Sequence, residues 1–273
     1  MRACLLASLL ASLSLVACDS GPKVDPAAAQ AKVTADLKAA AAWTRNHKLK
    51  EAEKVYNDIL QTSPDHAEAL AGLARVKLAD AKPDEALPLV DKSIAAKGDD
   101  ASVHALRGDI LARKEEHAEA AGAYGKAFAL EPDKSEYGLP CGAQLNLAKK
   151  YEEAEKVLRE VVELDPMAQF VYTELGDVLR GQNRNDEALK TYMKALSMWA
   201  SDKMAHAGAA QIYEAKGDID HALAEWSIYV RMDCCSPYSR DVAQKKIVAL
   251  QAASNTPAAG AAPTPGTAPV APG

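Results

Sequence analysis

The side chains with the greatest covalent reactivity in this 273-residue chain are its five cysteines, Cys4, Cys18, Cys141, Cys234 and Cys235. Two of them, Cys234 and Cys235, are adjacent. Such a pair can close a strained vicinal disulfide, remain as two free thiols, or supply one half of an intermolecular link. Metal binding there finds little support, because none of the six histidines, His47, His66, His104, His117, His206 and His221, stands near the pair in sequence. No nucleophile–base set, phosphate-binding loop or paired-carboxylate cleft is recognisable. No enzymatic activity, cofactor or metal is therefore expected. The other candidates are charged residues, Arg45, Arg75, Asp109, Arg113, Asp177 and Arg180, and their spacing acquires meaning only once the elements that carry them are placed.

Those elements repeat. Ala52 recurs as Ala86, Ala120, Ala154, Ala188 and Ala222, in five consecutive steps of 34 residues. Four residues beyond each alanine, on the same face of a helix, stands a large apolar residue: Tyr56, Val90, Tyr124, Leu158, Tyr192 and Trp226. Twelve residues before each alanine the chain has Ala40, Ala74, Gly108, Gly142, Gly176 and Ala210, small residues that let a second helix lie close. This pattern resembles the tetratricopeptide repeat, a 34-residue helix-turn-helix unit with a small residue in its first helix, an alanine opening its second and often a closing proline. Pro64, Pro132 and Pro166 supply the proline, and Gly98, Ala200 and Cys234 stand in its place elsewhere. The resemblance implies an all-α, right-handed superhelical solenoid of six repeats over residues 33–236, in units that start at 33, 67, 101, 135, 169 and 203.

Local signals refine this frame. Asp84, Asp186 and Asp218 are placed to cap second helices. Gly138 and Pro140 interrupt the fourth unit, so its first helix is expected to start late, near Pro140. The irregularity is either simply tolerated or a notch in the concave wall that admits a partner side chain. Ser236-Pro237 opens an expected capping helix over 237–252, with Val242, Ile247 and Leu250 as its apolar stripe. Residues 253–273, rich in Ala, Pro and Gly, are expected to be a disordered tail.

In repeats of this family the partner usually lies along the concave groove lined by the first helices. The second, fifth, ninth, twelfth and thirteenth places of each unit should face it. They hold Arg45, Arg75, Arg113 and Arg180 with Asp109, Asp177, Glu68, Glu136 and Glu214, and the basic members crowd the first three repeats. The arginines either grip an acidic segment or form a solvated face balanced by nearby acids. Relatives that clamp a peptide carboxylate use Lys and Asn at the fifth and ninth places; Leu37 and Ala41, or Ala71 and Arg75, stand there instead, which argues against a chaperone-tail clamp. The same register sets Cys141 two repeats from Cys234 and Cys235, roughly 20 Å away at ~8 to 10 Å per helix layer, beyond the ~7 Å Cα separation that a disulfide spans.

The amino terminus carries an address. Met1-Arg2 and the apolar run from Leu5 to Val16 have the charged head and short body of a secretory signal, too short to span a bilayer. Leu15-Val16-Ala17-Cys18 resembles the lipobox of bacterial lipoproteins, which implies removal of residues 1–17 and lipidation of Cys18 with diacylglycerol and palmitate-type chains. Several acyl chains on one residue anchor a protein stably. Residues 18–32 then read as the lipidated cysteine and a flexible leash, whose end Asp25-Pro26 could cap the first helix. Asp19 resembles the signal that retains lipoproteins in the inner membrane of enteric bacteria, so inner and outer membranes both remain open.

Charge excludes one class of partner. With 32 Lys and Arg against 38 Asp and Glu, net −6, the chain offers no global attraction for nucleic acid. The expected function is a lipid-anchored scaffold of the bacterial envelope, facing the periplasm, that holds another envelope protein or peptide segment. The specific form suggested by six repeats plus a lipobox is similar to the lipoprotein pilotins that help outer-membrane secretins of type IV pili assemble. The rival class is a thiol, redox or metal-linked protein centred on Cys234-Cys235.

Overall fold

The computed structural model describes residues 25–254. Among these residues the chain forms thirteen α-helices and no strand. Twelve of them pair as hairpins: α1 Pro26–Arg45 with α2 Leu49–Thr62, α3 Ala67–Ala79 with α4 Pro83–Ala96, and α5 Ala101–Arg113 with α6 His117–Leu130. The other hairpins are α7 Ser135–Leu147 with α8 Tyr151–Leu164, α9 Val171–Gly181 with α10 Asn185–Met198, and α11 Lys203–Lys216 with α12 Ile219–Met232. A π-helical turn, Ser239–Ala243, leads into α13, Gln244–Ser254.

The periodic alanines explain this arrangement. Ala52, Ala86, Ala120, Ala154, Ala188 and Ala222 are all 0% exposed, each in the first turn of a second helix where it touches its hairpin partner. One turn further along, the large side chains meet glycines of the first helices: a Cβ on Gly108, Gly142 or Gly176 would lie 2.9, 2.5 or 2.6 Å from Tyr124, Leu158 or Tyr192. Tyr192 is held between two such places, because a Cβ on Gly208 of the next repeat would also lie 2.3 Å from its ring. Close helix approach therefore depends on small residues facing large ones.

Each hairpin turns in the same way. The fifteenth residue of every unit, His47, Ala81, Glu115, Lys149, Asn183 or Gly217, has φ between 56° and 74°. The amide after it bonds back to the carbonyl five residues earlier, as in Lys82 to Lys77 at 2.9 Å and Glu116 to Leu111 at 3.0 Å. This is the left-handed stop that ends helices, built here mostly without glycine.

Successive first helices touch, α1 with α3, α3 with α5, α7 with α9 and α9 with α11, whereas second helices do not pack on one another to a comparable extent. The first helices thus form the inner wall and the second helices splay on the outside. At the middle joint α6 packs more extensively on α7 than its counterparts do, and the contact between α5 and α7 is slighter than that between the other neighbouring first helices. Small residues permit this shift: the Cys141 thiol donates to the Ala121 carbonyl at 3.4 Å, and a Cβ on Gly125 would lie 3.5 Å from its Sγ.

Several expectations need correction. The leash does not extend to residue 32, because α1 begins at Pro26, capped by the Asp25 carboxylate on the Ala27 amide. In the fourth unit α7 starts at Ser135 and runs through Pro140. A proline at the sixth helical position removes one backbone hydrogen bond near the helix start, which the packing of Tyr137, Gly138 and Cys141 outweighs. Asp84 and Asp186 are not caps; they lie in the first turns of α4 and α10 and pair with Lys114 and Lys216. Asp218 does cap α12, accepting from the His221 amide. The carboxy-terminal cap is helical from residue 237 onward as expected, but a π-helical turn at Ser239–Ala243 shifts its face, so that Ala243 is buried and Val242 only half-buried, while Ile247 and Leu250 pack beside Trp226 and Tyr229. Residues 253 and 254 close α13, and the rest of the expected tail, with the signal segment, Cys18 and Asp19, lies outside the described residues. No described helix is long and apolar enough to cross a membrane.

Candidate functional site on the inner wall

The structure treats the six candidate residues of the inner wall differently. Arg45 ends α1 and Arg75 lies in α3, and the charges of both act on Tyr56 of α2 between them in sequence. Burial raises the Tyr56 phenol, while a hydrogen bond with Thr44 and the two arginine charges oppose the rise. Arg75 is exposed and reaches across the repeat boundary to Ser102, with 3.5 Å between Nη2 and Oγ. It borders a cavity of about 210 Å³ with Glu68, Ala71, Lys97, Asp100 and Ser102. Arg113 is likewise exposed and lines an open hollow with Leu78, Asp109 and Tyr124.

Ion pairing separates the two halves. Among the described residues the arginine ion pairs belong to Arg107, Arg159, Arg180 and Arg184. Arg45, Arg75 and Arg113 take part in none. Asp109, which could have neutralised two of them, instead accepts the Tyr124 hydroxyl at 2.5 Å. Burial and that carboxylate together push the Tyr124 phenol well above its usual range.

In the fifth repeat the same places close on themselves. Tyr192 donates to Asp177 Oδ1 at 2.7 Å, Arg180 Nη2 donates to the same oxygen at 3.0 Å, and Arg180 Nε donates to the Tyr192 hydroxyl at 3.3 Å. Burial followed by Asp177 raises the Tyr192 phenol. Burial acts against the Arg180 charge, yet Tyr192 and Asp177 more than offset it. Asp177 and Arg180 are thus joined to each other and to the core.

Glu174 was not singled out by the sequence reading. It sits at the sixth place of its unit, where the others carry Lys38, Gly72, Leu106, Pro140 and Gly208, so an isolated acid at that place was the available signal. Burial, then Asp177 and Asp202, push its carboxyl up to about 7 against a hydrogen bond from Asn146. Asp202 itself is buried, capping α11 through the Met204 and Ala205 amides and accepting from Thr173 at 2.5 Å.

The cysteines resolve simply. Cys141 is buried, and burial pushes its thiol up to about 11. Cys234 and Cys235 are exposed free thiols whose Sγ atoms lie 2.6 Å apart. No group of three or more His, Cys, Asp or Glu side chains among the described residues could hold a metal ion.

Comparison with known proteins agrees with this architecture. The tetratricopeptide-repeat family matches residues 44–110 and 173–231, which leaves the tight α6–α7 joint and the region around Pro140 between the matches. No curated protein matches the sequence. Among solved structures, pilF of Pseudomonas aeruginosa superposes with a TM-score of 0.64 at 18% identity, covering 79% of this chain and 98% of that one. MamA of Desulfovibrio magneticus RS-1, from residue 41 on, gives 0.56 at 21% identity, covering 61% and 94%. YrrB, described as a TPR protein with an unusual peptide-binding site, gives 0.55 at 17% identity, covering 69% and 97%. Hairpin repeats, family matches and structural likeness converge on one conclusion: the fold is a tetratricopeptide-repeat solenoid.

Proposed function

We propose that this chain is a protein-binding scaffold of the bacterial envelope, anchored to a membrane by lipid on Cys18 and facing the periplasm. Its inner wall grips an acidic segment of another envelope protein along the first three repeats. The observation that supports this is the exposure of Arg45, Arg75 and Arg113 without an ion pair among the described residues, on the wall where Arg180 is already satisfied. A cation free of internal partners can meet a carboxylate without first breaking a bond. A pilotin-like role in the assembly of type IV pili is the specific form of the reading; its support is the lipobox-like Leu15-Val16-Ala17-Cys18 together with a fold similar to pilF over most of both chains.

The test begins with the partner recovered from gently solubilised membranes. Its affinity is measured for wild type and for Arg75→Glu with Arg113→Glu, at two salt concentrations. Charge reversal replaces attraction by repulsion worth several kcal/mol, so at least about a 100-fold loss is expected, and wild-type binding should weaken as salt rises. Equal affinities would remove the inner wall of the first repeats as the site. Metabolic labelling with a fatty-acid analogue checks the anchor separately: label is expected in wild type, and label retained in Cys18→Ala excludes lipidation at that residue.

A further inference from the structure

The outer surface carries a groove that the inner-wall reading leaves unused. It runs between α8 and α10, with α9 as its floor, and encloses about 320 Å³. Val162, Tyr172 and Leu175 make the apolar base, Leu175 being 5% exposed. Arg159, Lys190 and Lys194 stand along the rim, all exposed, against one acid, Glu163. Lys194 Nζ lies 5.9 Å from the Tyr172 ring centre, so the cation already leans over the aromatic floor.

The repeat supplies an internal control. A groove at the same register lies two repeats earlier, over α5 between α4 and α6. There the charges balance: Arg107 pairs with Asp91 at 2.8 Å, and Lys126 shares the rim with Glu119. At the later groove the places of Asp91 and Arg107 hold Arg159 and Leu175, so the internal pair is replaced by a cation and an apolar side chain. Lys190 occupies the place of Gly122 and Lys194 that of Lys126. Lys190 and Lys194 join no ion pair among the described residues. Arg159 pairs with Glu155, but Arg184 draws on the same carboxylate. On a chain of net charge −6, this is a local excess of positive charge around an apolar floor.

We propose that the outer groove between α8 and α10 is a second docking surface, for an acidic amphipathic helix that seats aliphatic side chains on Tyr172, Leu175 and Val162 and carboxylates on Lys190, Lys194 and Arg159. Helical spacing supports the choice of occupant. Lys190 and Lys194 stand at i and i+4 along one wall, and Tyr172 and Leu175 at i and i+3 along the floor, so the lining forms ridges that accept the ridges of another helix. The volume suits a few side chains of a helix laid across it.

The test uses full-length protein and a synthetic fluorescent 17-residue helix with Leu at i, i+3, i+4 and i+7 and Glu on the flanks. Two control peptides replace Glu by Lys or scramble the order. Saturable binding of the acidic helix is expected, weakened at least tenfold by Lys190→Glu with Lys194→Glu, and unchanged by Lys126→Glu in the earlier groove or by Arg75→Glu with Arg113→Glu on the inner wall. Carbodiimide coupling should join peptide carboxylates to Lys190 or Lys194, read by mass spectrometry. Absence of saturable binding, equal binding of the scrambled peptide, an equal loss with Lys126→Glu, or coupling only to lysines elsewhere overturns the proposal. Because Arg75 and Arg113 lie on the other face, failure here leaves the inner-wall reading standing, and failure there leaves this one standing.

Discussion

Replacing Glu174 by Gln removes a carboxyl that the fold keeps protonated up to about pH 7, and the consequence depends on pH with a definite sign. In the folded protein burial and the charges of Asp177 and Asp202 raise this group from 4.5 to about 7. In the unfolded chain those neighbours disperse and the ordinary value returns. Between the two values the folded state binds the proton and the unfolded state does not. The group's favourable contribution is therefore complete below about 4.5 and is lost as pH rises through about 7. At about 1.4 kcal/mol per unit the full difference is about 3.5 kcal/mol, and solvent at the rim of the wall reduces it, so about 1 to 3 kcal/mol is expected. Gln cannot ionise and can keep the contact with Asn146. Glu174→Gln should match wild type near pH 4.5 and exceed it by that amount at pH 8. Urea unfolding followed by circular dichroism at both pH values measures the difference, and the other titrating groups cancel because the two proteins share them. An advantage that is the same at both pH values, or larger at pH 4.5, would refute the reasoning.

The turns and the close helix contacts give further tests. Gly217 has φ 74° and nothing within 4 Å of an added Cβ, so Gly217→Ala isolates the backbone cost and should lower stability by about 1 kcal/mol. Ala81→Gly, at φ 58°, should raise stability by less than that, because glycine's greater freedom in the unfolded chain offsets part of the relief; denaturant midpoints of both variants decide. Ala120 is fully buried at 0% exposure, so the three extra carbons of a leucine would overpack the contact and Ala120→Leu should cost about 1 to 3 kcal/mol. An unchanged thermal midpoint would contradict the contact.

What was legible in the sequence follows from where the physics leaves a residue no choice. Ala52 and its five counterparts are all 0% exposed, so a larger side chain has no solvent to turn into, small residues are favoured at those places and the 34-residue period shows. The turns were less legible because the backbone decides them: bonds such as Lys82 to Lys77 impose a left-handed φ on Ala81 and Glu115, and only Gly217 advertises the conformation. Pro140 misled the reading for a related reason. A proline penalty is local, and the buried face of α7 outweighs it. The site was half visible. Register placed Arg75, Asp109, Arg113, Asp177 and Arg180 on the first helices, but which acid meets which base depends on a few ångströms of side-chain reach. Asp109 turns to Tyr124, whereas Asp177 serves both Tyr192 and Arg180.

That difference in partner choice has a functional consequence. To bind a ligand carboxylate, Arg180 must weaken its bonds to Asp177 and Tyr192, and the gain from the new contact is reduced by what the old ones contributed. Arg75 and Arg113 give up only water and, for Arg75, one long contact to Ser102. On the proposed reading, with similar chemistry at related places of a repeat, an acidic segment would be held most strongly where the fold has left its cations without an ion pair. The fifth repeat, tied through Tyr192 to glycines on both sides, is better suited to hold the wall rigid than to bind on its inner face. On its outer side, where Lys190 and Lys194 join no ion pair among the described residues and Lys194 leans over Tyr172, the proposed groove would follow the same rule from the opposite surface.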